Sequence, residues 1–173
     1  MDKKEMPKIT NLASKIEKQL PAKLVTFIQR AGETAASQRQ GLYLIGGVVR
    51  DLLLGQTNLD LDLVVEGNAI ELAHQLVEIN HGKITTHPRF NTAKLQWDKW
   101  SVDLTTARSE TYAKPGALPT VTPGSINNDL FRRDFTINAM AIALNPNRYG
   151  ELIDRYGGRD DLEHKLIRVL QRA

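Results

Sequence analysis

Asp60 and Asp62 are separated by one residue in the run Asn58-Leu59-Asp60-Leu61-Asp62-Leu63-Val64-Val65, and a further carboxylate, Asp103, stands in the alternating segment Trp100-Ser101-Val102-Asp103-Leu104. In an extended strand residues i and i+2 share a face, so Leu59, Leu61 and Leu63 can enter a core while both aspartates project from the other side. Asp103 points away from the apolar face of its own strand by the same rule. Carboxylate oxygens on one rigid edge suit magnesium, which takes one or two carboxylates together with substrate phosphates. Like charges this close repel and push one pKa up unless a cation compensates, which makes a purely structural role uncomfortable. Three carboxylates on the polar faces of adjacent apolar strands match a two-metal phosphoryl-transfer site, in which one ion activates an attacking hydroxyl and the other stabilises the leaving oxygen. The polar half of an ordinary alternating strand is the competing explanation.

Two other groups of residues could serve the same chemistry. Gly46-Gly47 lies between an apolar run and a helical pattern, where glycine lets phosphate oxygens approach backbone N–H groups, or simply permits a tight turn. Arg50, one turn later, can hold a phosphate oxygen or pair with Asp51 on a helix surface. The segment Asp129-Leu130-Phe131-Arg132-Arg133-Asp134-Phe135-Thr136-Ile137-Asn138 sets two arginines between aromatic residues. Partly buried guanidinium groups need anionic partners, and a nucleoside triphosphate would supply them. His74, His81, His87 and His164 lack zinc-site spacing and read as surface residues, and Trp97 and Trp100 read as core rather than as base-stacking platforms.

The elements that must position these groups follow from periodicity. Ile9, Leu12, Ile16 and Leu20, then Leu24, Phe27, Ile28 and Ala31 beyond Pro21, predict two short packed helices. Residues 32–40 read as a connector, Leu42 to Ile45 as a buried strand, and the glycine pair as the start of a helix that ends before Gly55. The Asp60/Asp62 strand comes next, then a helix from Ala69 to Asn80 that closes at His81-Gly82. Ala93, Leu95 and Trp97 alternate with polar residues, as do Trp100, Val102 and Leu104, which predicts two strands around a tight turn. Residues 106–128, rich in proline and glycine, read as a long functional loop with Tyr112 in it. Asp129 to Asn138 reads as helical, Met140, Ile142 and Leu144 as a strand, and Asp160-Asp161-Leu162 as the entry to a last short element. The expected class is α/β, a mixed sheet flanked by helices with an N-terminal helical extension over 1–40 and the main domain over 41–173.

Composition narrows the possibilities. A chain of 173 residues, 41% hydrophobic and 25% charged, can bury a real core. It holds no cysteine, so disulfides, thiolate metal sites and a cysteine nucleophile are excluded, which fits a reducing compartment, the cytoplasm by default. No apolar run approaches the roughly 20 residues that span a bilayer, so no membrane partner is expected. Residues 1–40 carry eight Lys/Arg against four Asp/Glu, a bias that serves nucleic acid or a solvated helix face equally well.

Four blocks in order, Gly46-Gly47-Val48-Val49-Arg50-Asp51, Asp60 to Gly67, Arg132 to Ile142, and Gly157-Gly158 with Asp161-Leu162, resemble the head domain of class II tRNA nucleotidyltransferases and bacterial poly(A) polymerases over roughly residues 41–170. The resemblance implies a polymerase-β-like nucleotidyltransferase fold and transfer of CMP or AMP from CTP or ATP to an RNA 3′ end, tRNA foremost, with release of pyrophosphate. It assigns magnesium to Asp60 and Asp62, and to Asp103 as the third carboxylate, which helps activate the primer hydroxyl. Gly47, Arg50 and Arg133 match nucleotide-contacting positions, Gly46 shapes the turn, and Arg132, Asp134 and Asn138 belong to the same nucleotide motif. Arg108 resembles an arginine at the start of the family's mobile loop. The family's base-reading helix, an acidic pair followed by arginine, lies in a neck domain. His164 stands where Asp160-Asp161 would need that arginine. The chain therefore reads as a catalytic head lacking neck, body and tail, expected to bind nucleotide weakly and with little discrimination. CCA addition, A addition and poly(A) synthesis share such a head. A nucleotide- or RNA-binding module without turnover, and a metal phosphohydrolase using the same carboxylates, are the alternatives.

Overall fold

A computed structural model describes residues 10–118 and 120–170. Ile9, named above, and Pro119, within the segment 106–128, lie outside the described residues. Strands β1 (Leu42–Ile45), β2 (Asp60–Val65), β3 (Lys83–His87), β4 (Thr92–Gln96), β5 (Ser101–Thr106), β8 (Ala141–Ala143) and β9 (Leu152–Ile153) form one mixed sheet in the order β3-β4-β5-β2-β1-β8-β9. Only β2 and β5 run parallel, and every other neighbouring pair is antiparallel. The remaining strands, β6 (Arg108–Thr111) and β7 (Thr120–Pro123), pair with each other as a separate hairpin.

One face of the sheet is covered by four helices, α1 (Ala13–Gln19), α2 (Ala22–Ser37), α3 (Gly47–Leu53) and α4 (Ala69–Asn80). Leu42, Leu44, Leu61, Leu63, Leu95, Val102 and Leu104 pack there against Leu24, Ile28, Val49 and Leu72 in a single core. Phe27 meets the edge of Trp97, which stacks on Trp100 with ring centroids 4.0 Å apart, so both tryptophans belong to this core as expected. The N-terminal helices thus share their interior with the sheet. Across the opposite face lies α5 (Ile126–Phe131), whose Ile126 and Leu130 cover Tyr43, Ile45, Val64, Ala141 and Ala143. This explains the pattern of β2, polar-apolar at its start and wholly buried from Leu63 onward. Alternation lasts as far as the sheet face is open and stops where α5 begins to cover it. A last helix, α6 (Gly158–Glu163), follows β9.

The structure corrects four expectations. Residues 32–37 continue α2 rather than forming a connector. Gly32 there is a close-approach glycine, since a Cβ on it would overlap the carbonyl oxygen of Leu144. Lys83–His87 is a strand that periodicity missed, because an edge strand with alternating exposure and only Ile84 as a large apolar residue shows almost no apolar rhythm. The long loop over 106–128 is the β6–β7 hairpin followed by the start of α5, capped by Ser125 in a reciprocal box with Asn128. Asp129 to Asn138 is not one helix. Helix α5 ends at Phe131, and Phe135 then forms a strand-like bridge to Val169, so the backbone is extended before a 3-10 turn over Thr136–Asn138. Among the described residues no helix is long and apolar enough to cross a membrane.

Candidate active site

The parallel register of β2 and β5 sets Asp62 beside Asp103 and Asp60 beside Ser101. On the flanks, β1 places Ile45 opposite Asp62 and β4 places Lys94 opposite Asp103. One row across this face therefore reads Ile45, Asp62, Asp103, Lys94, covered by α5 at Ile45 and open from Asp62 onward. The Lys94 ammonium lies 3.7 Å from Asp103 Oδ1, with both side chains 43% exposed. Asp60 takes a hydrogen bond from the Ser101 hydroxyl at 3.0 Å. Burial pushes the Asp62 carboxyl above its ordinary value of 3.8, and the charges of Asp103 and Asp60 push the same way against Arg133 and Lys94. Among the described residues no group of three or more histidine, aspartate or glutamate side chains is gathered closely enough to hold a metal ion. Asp60, Asp62 and Asp103 instead line an open face.

Gly46 joins this row from the end of β1. Its φ of 73° and ψ of −140° fall where only glycine is at ease, and a Cβ there would sit 3.7 Å from Asp62 Oδ2. The turn thus runs bare backbone past the carboxylates. Gly47 opens α3, and the space beside it is taken by the Arg50 guanidinium, 3.3 Å from where its Cβ would be. Arg50 pairs with Asp51 at 3.3 Å and also donates to Asn138 Oδ1 at 3.3 Å. The pairing with Asp51 is thus present, and the same side chain ties α3 to the 3-10 turn.

Arg132 and Arg133 follow α5 and are held by Asp129, which is fully buried. Arg133 Nη2 donates to Asp129 Oδ1 at 3.0 Å and Arg132 Nη2 to Oδ2 at 3.5 Å. Both guanidinium groups are about one-fifth exposed, and the Nε of each is buried without a partner among the described residues. The Arg133 charge works against the rise of the Asp62 carboxyl, so Arg133 lies within electrostatic reach of the carboxylate row. Asp134 is exposed, its carbonyl accepts the Leu170 N–H at 2.8 Å, and the structure does not draw its carboxylate into the row. Arg108 contributes its backbone N–H to Asp129 Oδ2 at 3.2 Å. Tyr112, in the hairpin, is exposed and bonded to Glu110.

Two participants escaped the sequence reading. Asp129 stands three and four residues before Arg132 and Arg133, the helical ion-pair spacing, and that spacing was the available signal. Lys94 could be found only through strand register, which turns one polar position of β4 into the neighbour of Asp103. A cavity of about 400 Å³ lies elsewhere, under the far end of α5, lined by Tyr43, Glu66, Arg148 and Glu151 among others. These groups satisfy one another: Tyr43 donates to Glu66 at 3.0 Å and Arg148 pairs with Glu151 at 3.1 Å.

A mixed sheet with helices on one face, and acidic residues on neighbouring strands of the other beside a glycine turn, is the polymerase-β-like nucleotidyltransferase fold. The family model of the poly(A) polymerase head domain matches residues 42–168, and the chain belongs to that family. It is 55% identical over 128 residues to the A-adding tRNA nucleotidyltransferase of Aquifex aeolicus, a match covering 74% of this chain and 16% of that protein. Identity to the A-adding tRNA nucleotidyltransferase of Halalkalibacterium halodurans is 47% over 147 residues, 83% of this chain and 34% of the other. A solved complex of a CCA-adding enzyme with CTP superposes with a TM-score of 0.83 at 40% identity, covering 96% of this chain and 38% of that one. The chain thus spans about a third or less of the length of these relatives.

Proposed function

We propose that this chain is the catalytic head of an RNA nucleotidyltransferase, which moves CMP or AMP from CTP or ATP to the 3′ hydroxyl of an RNA of tRNA type and releases pyrophosphate. The observation that carries the proposal is the side-by-side register of Asp62 and Asp103 on parallel strands, with Asp60, Gly46 and Arg133 around them. The donor set is all carboxylate oxygen on an open face, which fits magnesium and leaves room for water and phosphate ligands. Asp60, Asp62 and Asp103 would hold it, and when bound it would supply charge neutralisation and a more acidic attacking hydroxyl.

The remaining work falls to the chain itself. Arg132 and Arg133, pre-aligned by Asp129, offer donors to phosphate oxygens where negative charge gathers. The backbone at Gly46-Gly47 allows close approach, and Arg50 with Asn138 fixes the adjacent turn. The motif resemblance gives Asp103 the part of the third carboxylate, which helps activate the incoming hydroxyl, and Lys94 flanks it at 3.7 Å. Asp134 is retained in the nucleotide motif as an exposed member. Operation in the cytoplasm, and a unit made of residues 41–173 buttressed by the helices of 1–40, complete the proposal. Support for both nucleotides comes from the motif resemblance, and for CTP also from the similarity to the CTP-bound enzyme.

Primer extension of a tRNA lacking its terminal nucleotides, with labelled CTP or ATP, tests it. Asp60→Ala and Asp62→Ala should reduce incorporation to background while cooperative thermal melting is preserved. Unchanged transfer by either variant would refute the assignment, and binding of both nucleotides without extension by the wild type would leave the chain a binding module.

A further inference from the structure

Asp129 lies behind the two arginines, is wholly buried, and serves three donors from two parts of the chain: Arg133, Arg132 and the backbone N–H of Arg108. A buried carboxylate is tolerable only when so supplied, and its two oxygens have room for these bonds. Arg108 is the first residue of β6, and its cross-strand partner is Pro123, which has no N–H to give. The hairpin is rooted through Ala107, whose N–H reaches Val65 O and whose carbonyl accepts the Gly124 N–H, both at 2.8 Å. Among the described residues it pairs with no strand of the main sheet beyond that root.

We infer that Asp129 is a positioning residue that locks the two guanidinium groups and the root of the β6–β7 hairpin into one unit, so that an anion seated on the arginines also sets the hairpin. This rests on the reading of Arg132 and Arg133 as phosphate contacts. Removing the charge alone frees the arginines without removing them. Asp129→Asn should therefore bind polyphosphate at least as tightly as wild type yet lose the link. Loss of affinity together with collapse of the fold would be the mark of a merely structural residue.

The test is amide hydrogen exchange of residues 109–111 in the 173-residue chain, with and without magnesium tripolyphosphate, alongside direct binding. Without ligand, exchange there should quicken about tenfold in Asp129→Asn. Arg108→Pro deletes the donated N–H together with the side chain and leaves the carboxylate with its arginines, so it reads the link even where Asp129→Asn fails to fold, and Arg108→Ala controls for the lost side chain. Tripolyphosphate should slow hairpin exchange in wild type and Arg108→Ala but not in Asp129→Asn or Arg108→Pro. Equal ligand-free exchange in wild type, Asp129→Asn and Arg108→Pro, or equal protection by tripolyphosphate in all of them, overturns the inference. Failure of wild type to bind magnesium-CTP or magnesium-ATP overturns instead the nucleotide reading, and the ligand-free comparison still decides the role of Asp129.

Discussion

Replacing Asp62 by asparagine should make the metal-free protein more stable while destroying its response to magnesium. Asp62 and Asp103 sit on paired strands, so their charges are separated by about 5 Å, the usual interstrand spacing. Between effective dielectric constants of 20 and 80 that repulsion is worth about 1 to 3 kcal/mol. Lys94 and Arg133 return part of it and Asp60 adds to it. With the open face screening all of these terms, the net cost of the ionised Asp62 comes to about 1 kcal/mol. In a chain of this size that raises the melting temperature of Asp62→Asn by about 2–4 °C in EDTA at neutral pH. The sign follows from linkage: the folded Asp62 has a raised pKa, so between its unfolded and folded values the native state holds more protons and stability falls as pH rises. The gap between wild type and variant is full above the raised value and closes as pH falls through it toward 3.8. Magnesium at a hundredfold excess over its dissociation constant should stabilise wild type by about 2.7 kcal/mol and Asp62→Asn far less. Thermal melting with and without EDTA across pH measures all of this. A lower melting temperature for Asp62→Asn in EDTA, or equal magnesium stabilisation of both proteins, would refute the electrostatic account.

Gly46→Ala should cost about 1–3 kcal/mol through its backbone conformation alone, because the added Cβ meets Asp62 at an ordinary 3.7 Å; calorimetry should show that loss together with weakened magnesium-nucleotide binding. Gly32→Ala forces Leu144 to move, with an overpacking cost of about 1–3 kcal/mol, and urea melts should show it while nucleotide affinity stays at the wild-type level.

The carboxylates and the glycine turn were legible because their strands alternate cleanly, and strand alternation converts sequence spacing into direction. β1, β2, β4, β5, α3 and α4 were readable for that reason or through helical period. What was hidden depended on partners distant in sequence. Gly32 looks like a linker residue until the carbonyl of Leu144 is seen pressing on it. Among the described side chains none from Arg108 to Pro123 is fully buried, so no rhythm shows there and the prolines and glycines suggested a loop. Phe135 looked helical because the bridge to Val169 that extends it lies 34 residues further along. Arg132 and Arg133 were expected to wait for a nucleotide as their anion, whereas Asp129 already holds them in part.

The parallel pairing of β2 with β5 also has a kinetic meaning. It is a contact of long sequence separation, since α4, β3 and β4 lie between the two strands along the chain. Such contacts are slow to form, and a slip by one residue would turn Asp103 into the core and bring Val102 to the open face. A chain folded in the wrong register could be compact and well populated in helix yet unable to collect its acidic side chains. Under the proposed function magnesium binding reports when β5 has found its place beside β2, and its appearance during refolding should lag behind the recovery of helix.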